Sequence, residues 1–186
     1  MEKITFEDIQ KANETIRTTD IKGKEYAEVN QRIKAFRMIY PQGAIVTDLI
    51  SNENGICIFK AIVQNEEGFV IGSGTAYEKE NSTFINKTSY IENCETSAVG
   101  RALGMAGFGI DTSVASAEEV ANAMTQQDAN KLIDKKMVEG LQLAIQNANI
   151  NQDIVSIVLA NYDYKNLSEI KVKDYMNIVN DLKAKK

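Results

Sequence analysis

Hydrophobic residues recur every three to four positions in two N-terminal segments, and this spacing predicts two amphipathic helices. The first covers residues 5–18 and the second residues 28–40. The second helix must end before Pro41, because proline disfavours helical backbone at the residue that precedes it. A glycine-containing turn over 21–24 separates the two helices and leads into a short strand predicted near Tyr26.

Three segments rich in Val, Ile, Phe and Thr follow, and each is predicted to form a strand. They lie at 44–51, 56–64 and 69–77. The breaks between them, NENG and NEEG, have the residues of hairpin turns. The sequence therefore predicts an antiparallel meander and not strand–helix–strand units. A short fourth strand is predicted over 84–87.

The meander is followed by a helix. Ser89 and Glu92 are spaced as a capping box, which predicts that this helix begins near Tyr90 and ends in the glycines beyond it. A second capping box, SAEE at 116–119, begins another helix. Three further segments with a hydrophobic stripe complete the chain. They lie at 128–149, 152–161 and 172–183.

The predicted fold class is α+β. Its core has the order β-β-β-α, in which a three- to four-stranded antiparallel meander packs on a helix, with helices N-terminal to it. Residues 126–128 are polar and mark the expected linker. We therefore predict a core domain over 1–124 and a small three-helix domain over 125–186.

Charge and composition restrict the chemistry. The net charge is −5, which disfavours nucleic-acid binding over the whole surface but permits a local basic face. The chain has no histidine, which removes the commonest general base and the commonest zinc ligand. No site of catalysis and no cofactor is predicted, because no serine, cysteine or lysine nucleophile has a visible base near it.

The cysteines and the termini bear on the compartment. Cys57 and Cys94 lie in apolar segments without CxxC spacing, and we interpret them as reduced core residues. The N-terminal residues do not resemble a signal peptide, and no segment approaches the roughly 20 apolar residues of a membrane helix. We expect a cytoplasmic protein without a membrane partner, in the host cytoplasm if it is encoded by a phage.

Two kinds of phosphate or metal chemistry are disfavoured by spacing. A phosphate-binding P-loop needs glycines before Lys-Ser/Thr, and Lys87-Thr88 has none. A metal site could be drawn from acidic residues around the third helix, but Glu92 is already assigned to a helix cap. These acidic residues are Glu78, Glu92, Glu95 and Asp111. No metal site is predicted.

Binding remains as the predicted activity. Residues 22–37 contain five cations and two carboxylates, a local net charge of +3. Arg101 lies in a helix of small residues, which permit close approach of a ligand or of another backbone. Lys87 and Thr88 precede the same helix, whose N-terminus favours anions. The alternative for Arg101 is a structural ion pair with Glu95 or Asp111.

The order of these elements resembles a known family. The chain resembles phage single-strand annealing proteins of the ERF-like and Sak-like type and their eukaryotic relatives. The resemblance is carried by the segment YAEVNQRIKAFRMIYPQGAIVTDLI, the meander that follows it, and the segment ETSAVGRALGMAGFGI. The resemblance covers roughly residues 24–112, and Gly100-Arg101-Ala102-Leu103 looks like the family's basic-Ala-Leu step.

The resemblance implies a function without active-site chemistry, namely ATP-independent binding and annealing of single-stranded DNA in recombination and repair. It implies a homo-oligomeric ring or helix, and a C-terminal domain that could dock a single-strand binding protein or a replisome partner. Arg101 becomes the first candidate for a phosphate contact. The weaker candidates are Lys87, Thr88, Arg32, Lys34 and Arg37.

Two alternatives remain open. An acidic protein suits a basic protein target, so the chain could be a phage accessory or anti-defence inhibitor. It could also be a plain single-strand DNA-binding protein that does not anneal, although the absence of tryptophan, a strong base-stacking residue, disfavours this.

Overall fold

A computed structural model of the chain describes residues 4–185 and, within them, seven α-helices and five strands. The helices are α1 Phe6–Asn13, α2 Val29–Ile39, α3 Tyr90–Met105, α4 Ala117–Ala129, α5 Lys135–Asn147, α6 Gln152–Ala160 and α7 Val172–Ala184. The strands are β1 Thr18–Ile21, β2 Lys24–Ala27, β3 Ala44–Glu53, β4 Ile56–Gln64 and β5 Val70–Lys79. This arrangement confirms the predicted α+β class.

The chain divides into two compact units, one ending at Met124 and the other beginning at Thr125. In the N-terminal unit β1 and β2 form a two-stranded hairpin, and β3, β4 and β5 form the antiparallel meander in that order. The predicted linker is wrong in one respect, because residues 126–128 lie inside α4. The change of unit is therefore carried by a helix and not by a flexible segment.

One face of the meander packs on α3. The alternation of β4 places every second residue in the core, and these residues are buried: Cys57, Phe59, Ala61 and Val63. β5 contributes glycines to the same face. A methyl carbon at Gly74 would lie 2.6 Å from the backbone nitrogen of Ala102, and one at Gly72 would collide with the Ala102 carbonyl. The glycines therefore let α3 lie directly against the backbone of β5.

The other side of the core is formed by α2 and the turn after α3. Phe36 of α2 lies edge-on to Phe108, with ring centroids 5.5 Å apart, and Tyr40 lies 5.7 Å from Phe36. Gly43 follows Pro41 at a point where a side chain would lie 2.7 Å from the Phe36 ring. The YPQG segment thus ends α2 and brings the backbone at Gly43 into contact with the Phe36 ring.

Three local predictions differ from the structure. Residues 84–87 form a 3-10 helix, Ile85–Lys87, and not a strand. The first helix ends at Asn13, because the chain extends into β1 at Thr18. Ser89 precedes α3, but its side chain forms no capping hydrogen bond.

The C-terminal unit has its own hydrophobic core, formed by α5, α6, α7 and the segment between α6 and α7. Its most buried side chains are Val155, Val158, Ile170, Ile178 and Leu182. Asp134 and Asn151 accept capping hydrogen bonds at the starts of α5 and α6. α6 and α7 agree with the predicted segments, whereas the segment predicted over 128–149 is interrupted at 130–134 and its helix begins at Lys135.

Candidate functional site

Arg32 is buried, which corrects its prediction as a nucleic-acid contact. Its exposed fraction is 0%. Its Nη1 atom donates to the carbonyls of Gly100 and Val114, each at 2.7 Å, and its Nη2 atom donates to those of Ser113 and Ala115 at 2.6 and 3.1 Å. The guanidinium therefore ties α2 to α3 and to the loop before α4, and no phosphate can reach it in this conformation.

The guanidinium of Arg32 is shielded from solvent. Burial lowers the pKa of the guanidinium, and the nearby carboxylates of Glu119 and Glu118 oppose that shift. Glu118 also accepts the backbone N–H of Val29 at 3.1 Å, at the N-terminus of α2. Two acidic residues in the first turn of α4 thus compensate one internal cation.

The small residues of α3 serve this internal arrangement. A side chain at Gly104 would lie 2.6 Å from Arg32 Nη1, and one at Gly100 would lie 2.8 Å from Val29. On the sheet side, Ala102 packs against Gly72 and Gly74. The small residues of α3 therefore allow the Arg32 side chain and the backbone of β5 to lie close to this helix.

Arg101 pairs with a residue of α4. Its Nη1 atom lies 3.1 Å from Glu119 Oε1, and the two side chains are 41% and 20% exposed. The other carboxylate oxygen of Glu119 accepts the backbone N–H of Ser116, while Ser116 Oγ accepts that of Glu119. The predicted second capping box is confirmed, and the ion pair of Arg101 is with Glu119 and not with Glu95 or Asp111.

Lys87 and Thr88 are exposed at the N-terminal end of α3. The segment that carries them is fixed by Asn86, which is fully buried. Asn86 Nδ2 donates to Glu78 Oε2 at 2.6 Å, and Asn86 Oδ1 accepts from Asn93 Nδ2 at 2.9 Å. The two candidate residues are therefore presented to solvent on an anchored turn.

The hydrogen bonds of Asn86 belong to a longer polar chain that the sequence did not reveal. Asn122 of α4 donates to Asn93 Oδ1 at 3.1 Å, so the side chains of Glu78, Asn86, Asn93 and Asn122 are linked in series. The pKa of Glu78 is raised by burial, while the hydrogen bond from Asn86 lowers it and the charge of Glu119 raises it further. The chain joins β5, the 3-10 turn, α3 and α4.

Lys34 and Arg37 lie on the exposed side of α2. Arg37 donates to the carbonyls of Pro41 and Gly43, and its guanidinium carbon lies 5.1 Å from the centre of the Phe36 ring. Arg37 therefore joins the last turn of α2 to the turn that follows it, with part of its donor capacity. Lys34 has an exposed charge one turn earlier on the same helix.

The predicted residues do not form one cluster. Twelve residues of α3, from Tyr90 to Arg101, span about 17 Å at 1.5 Å per residue, so Lys87 and Arg101 lie well apart along the helix. Lys34 and Arg37 occupy another element. The exposed candidates are thus four separate positions around α2 and α3, namely Lys34, Arg37, Lys87 with Thr88, and Arg101.

Two observations concern the cysteines and the acidic residues of the described part of the chain. Burial, with the neighbouring Cys57 thiol, raises the pKa of Cys94 to about 12, so this thiol stays protonated. Within residues 4–185, no group of three or more Asp, Glu or Cys side chains is arranged to hold a metal ion. No helix in the same range has the length and apolar character needed to cross a membrane.

A comparison with known protein families gives a match to part of the N-terminal unit. A family model described as Slr1353 N-terminal dsRNA-binding domain-like matches residues 33–106. The matched segment begins within α2, one residue after Arg32, and ends just after α3, so it contains the order α-β-β-β-α and Arg101. Among curated proteins, none matches the chain.

Proposed function

We propose that the N-terminal unit binds nucleic acid and that the protein anneals complementary single strands of DNA without ATP. The observation that carries the proposal is the match of residues 33–106 to a family model whose description names a dsRNA-binding-like domain. It supports nucleic-acid binding at a coarse level. The annealing activity rests on the resemblance of residues 24–112 to phage annealing proteins.

The charge distribution favours weak, local and salt-dependent binding. The whole chain carries −5, so phosphates must be met by individual exposed cations and not by a basic field. Arg101, Lys87 and Lys34 are exposed or partly exposed around α2 and α3. Each phosphate neutralised on a single strand should contribute a salt slope of about −0.7 in log affinity against log salt.

The free edges of the sheet support an oligomer. In residues 4–185, β3 and β5 each pair with β4 on one side only, and each is ten residues long. Unpaired edges of this length are available for pairing with another copy of the chain. Pairing of β3 of one copy with β5 of the next would be head-to-tail and would produce a ring or a helix.

Duplex RNA binding is the second candidate, and the description of the matched family model favours it. Domains of that kind recognise the shape of an A-form helix over about 16 base pairs and do not read single strands. The two candidates therefore differ in whether the preferred ligand is a single strand or a duplex.

A panel of labelled oligonucleotides tests both candidates. Single-stranded and duplex forms of DNA and RNA, longer than about 16 nucleotides or base pairs, are titrated at low and moderate salt without nucleotide. Annealing of two complementary DNA strands is measured beside the sedimentation mass. We expect preference for single-stranded DNA, annealing and a large assembly. Preference for duplex RNA would favour the second candidate, and no binding at low salt would overturn the proposal.

Arg101 and Glu119 supply a matched pair of variants. Arg101→Gln should weaken binding, while Glu119→Gln should strengthen it because it frees the guanidinium. Glutamine keeps an oxygen that can accept the Ser116 N–H, so the helix cap is retained. Loss of one phosphate contact should reduce the salt slope by about 0.7. If both variants lower the unfolding free energy and leave the affinity unchanged, Arg101 is a structural residue.

A further inference from the structure

The face of the meander opposite α3 is defined by the residues that alternate with the buried ones. We call it the outer face. On β4 it contains Ile56, Ile58, Lys60 and Ile62, and on β5 it contains Ser73, Thr75, Tyr77 and Lys79. Their register is fixed, since Ile58 pairs with Tyr77 and Lys60 pairs with Thr75. This surface is not part of the sites predicted from the sequence.

Tyr77 is the central feature of the outer face. Its exposed fraction is 71%, which is high for an aromatic residue in a strand. Ile58 lies directly opposite it on β4, at the position where a cross-strand aromatic–aliphatic pair interacts. Most of the surface of Tyr77 therefore stays in water, beside an aliphatic neighbour of fixed register.

Two lysines flank this ring. Lys79 lies two residues along β5 on the same face, and Lys60 is the diagonal neighbour on β4, next to Ile58. Neighbours of both kinds lie within about 7–8 Å in a sheet. Within residues 4–185 neither lysine forms an ion pair. An aromatic ring is thus placed between two lysines that form no ion pair in the described part of the chain.

The charged residues of the outer face differ in sign from strand to strand. Its carboxylates, Asp48 and Glu53, are both on β3, where they pair in register with Lys60 and Ile56. The half formed by β4 and β5 has Lys60 and Lys79 and no carboxylate. A polyanion is therefore attracted to the β4–β5 half and repelled from β3.

We propose that the β4–β5 half of the outer face is a stacking site for single-stranded nucleic acid. One base stacks on Tyr77, and the adjoining phosphates contact Lys60 and Lys79. An exposed aromatic ring with a cation on each side is the arrangement that binds single strands without sequence preference. A duplex cannot use it, because its bases are already stacked on each other. The inference rests on the proposed nucleic-acid binding and adds the surface and the strand form.

A single tryptophan tests the contact directly. The chain contains no tryptophan, so Tyr77→Trp places the sole indole on the outer face. Titration with oligo-dT at low salt should quench its emission in step with binding, and should leave it unchanged when duplex DNA of equal length is added. The matched control is Phe6→Trp, at an exposed position of α1, whose emission should not respond.

Affinity measurements separate stacking from a structural role. Tyr77→Thr keeps a strand-forming residue and removes the ring, so the Kd for oligo-dT should rise about 5- to 150-fold, the loss of one base–aromatic stack. Tyr77→Phe should bind within about twofold of the wild type, since the ring is kept. Lys60→Gln and Lys79→Gln should each reduce the salt slope by about 0.7. Phe6→Ala is the control and should bind normally.

The outcomes distinguish this inference from the function on which it rests. If the wild-type protein binds no oligonucleotide, the proposed function fails and the stacking site fails with it. If the wild type binds single strands but Tyr77→Thr and the two lysine variants bind equally well, the stacking site is wrong and the function stands. A fall in assembly mass for Tyr77→Thr with unchanged affinity would assign the outer face to a contact between copies. The lysine variants are at exposed positions and keep the test valid if Tyr77→Thr unfolds.

Discussion

Arg32 has the largest side chain among the fully buried residues of the described chain, and its charge is compensated without a direct ion pair. Four backbone carbonyls accept its Nη hydrogens, and Glu118 and Glu119 add a favourable field. The fork of the guanidinium is what allows one side chain to reach carbonyls in α3 and in the loop at 113–115 together. Arg32 therefore acts as a clamp in the N-terminal unit.

Substituting Arg32 should destabilise the fold strongly. Arg32→Met removes the hydrogen bonds that Arg32 donates to four carbonyls and should lower the free energy of unfolding by about 3 kcal/mol or more. Arg32→Lys should also be destabilising, because an ammonium has three donors and no planar fork. Urea unfolding measures both, with Lys34→Met on the exposed side of α2 as the control. Normal stability with lost nucleic-acid binding would restore Arg32 as a contact residue.

At the scale of elements, the packing of α3 on β5 depends on paired small residues. Gly72 and Gly74 of β5 face Ala98, Ala102 and Ala106 of α3, and the backbones approach too closely for any side chain between them. The run of small residues in α3 is explained by this packing and by the clamp of Arg32. The geometry therefore accounts for these small residues without a ligand bound to α3.

Gly74→Ala tests this packing. The added methyl would lie 2.6 Å from Ala102 N and 2.8 Å from Ala98 O, so α3 must move, and the expected loss of unfolding free energy is about 1–3 kcal/mol or more. Gly140→Ala is a control of opposite sign. It lies in α5 with no atom within 4 Å of the new methyl, and should stabilise the protein by about 0.5–1 kcal/mol. Equal, small effects of the two changes in thermal or urea unfolding would contradict the packing argument.

The polar chain from Glu78 to Asn122 couples four elements and predicts a pH dependence. Because burial raises the pKa of Glu78 in the folded state, the fold binds this proton more tightly than the unfolded chain does. The contribution of Glu78 to stability is therefore most favourable in acid. It becomes less favourable as the pH rises from the ordinary carboxyl value of 4.5 through the higher folded pKa.

Glu78→Gln removes this dependence while keeping an oxygen that can accept from Asn86. The variant should gain unfolding free energy relative to the wild type as the pH rises towards neutrality, and should show no gain in acid. Urea unfolding at a series of pH values measures the difference, with the exposed Glu80→Gln as a matched control. A difference that is constant with pH would show that the charge of Glu78 is compensated in the fold.

At the scale of the whole molecule, the chain contains two separate hydrophobic cores. The N-terminal core is formed by residues up to Phe108, and the C-terminal core begins at Ile133. Leu103 and Ile178 are fully buried members of the two cores. Each unit is therefore expected to have its own stability.

Core substitutions in each unit test this independence. Ile178→Ala should lower the stability of the C-terminal unit by about 2–5 kcal/mol, and Leu103→Ala should do the same for the N-terminal unit. Hydrogen exchange followed by mass spectrometry should show faster exchange confined to the unit that carries the change. Faster exchange throughout the chain in either variant would show that the two units unfold as one.

Much of the local structure was determined by the sequence alone. The spacing of apolar residues predicted α2, the three strands of the meander and the three C-terminal helices, because helix and strand periods are set by the backbone. The hairpin breaks predicted the antiparallel order, and Ser116 with Glu119 predicted a capping box that the structure confirms. These features depend on residues that are close together in the chain.

The tertiary structure decided the features that depend on residues far apart in the sequence. Arg32 was counted in a basic segment, but its partners lie 68 to 83 positions away and place its charge inside the fold. The partner of Arg101, the buried place of Asn86 and the pairing of Tyr77 with Ile58 likewise follow from packing. Local pattern shows which residues are charged or aromatic. Whether such a group meets solvent, a carbonyl or a ligand is set by the elements that fold around it.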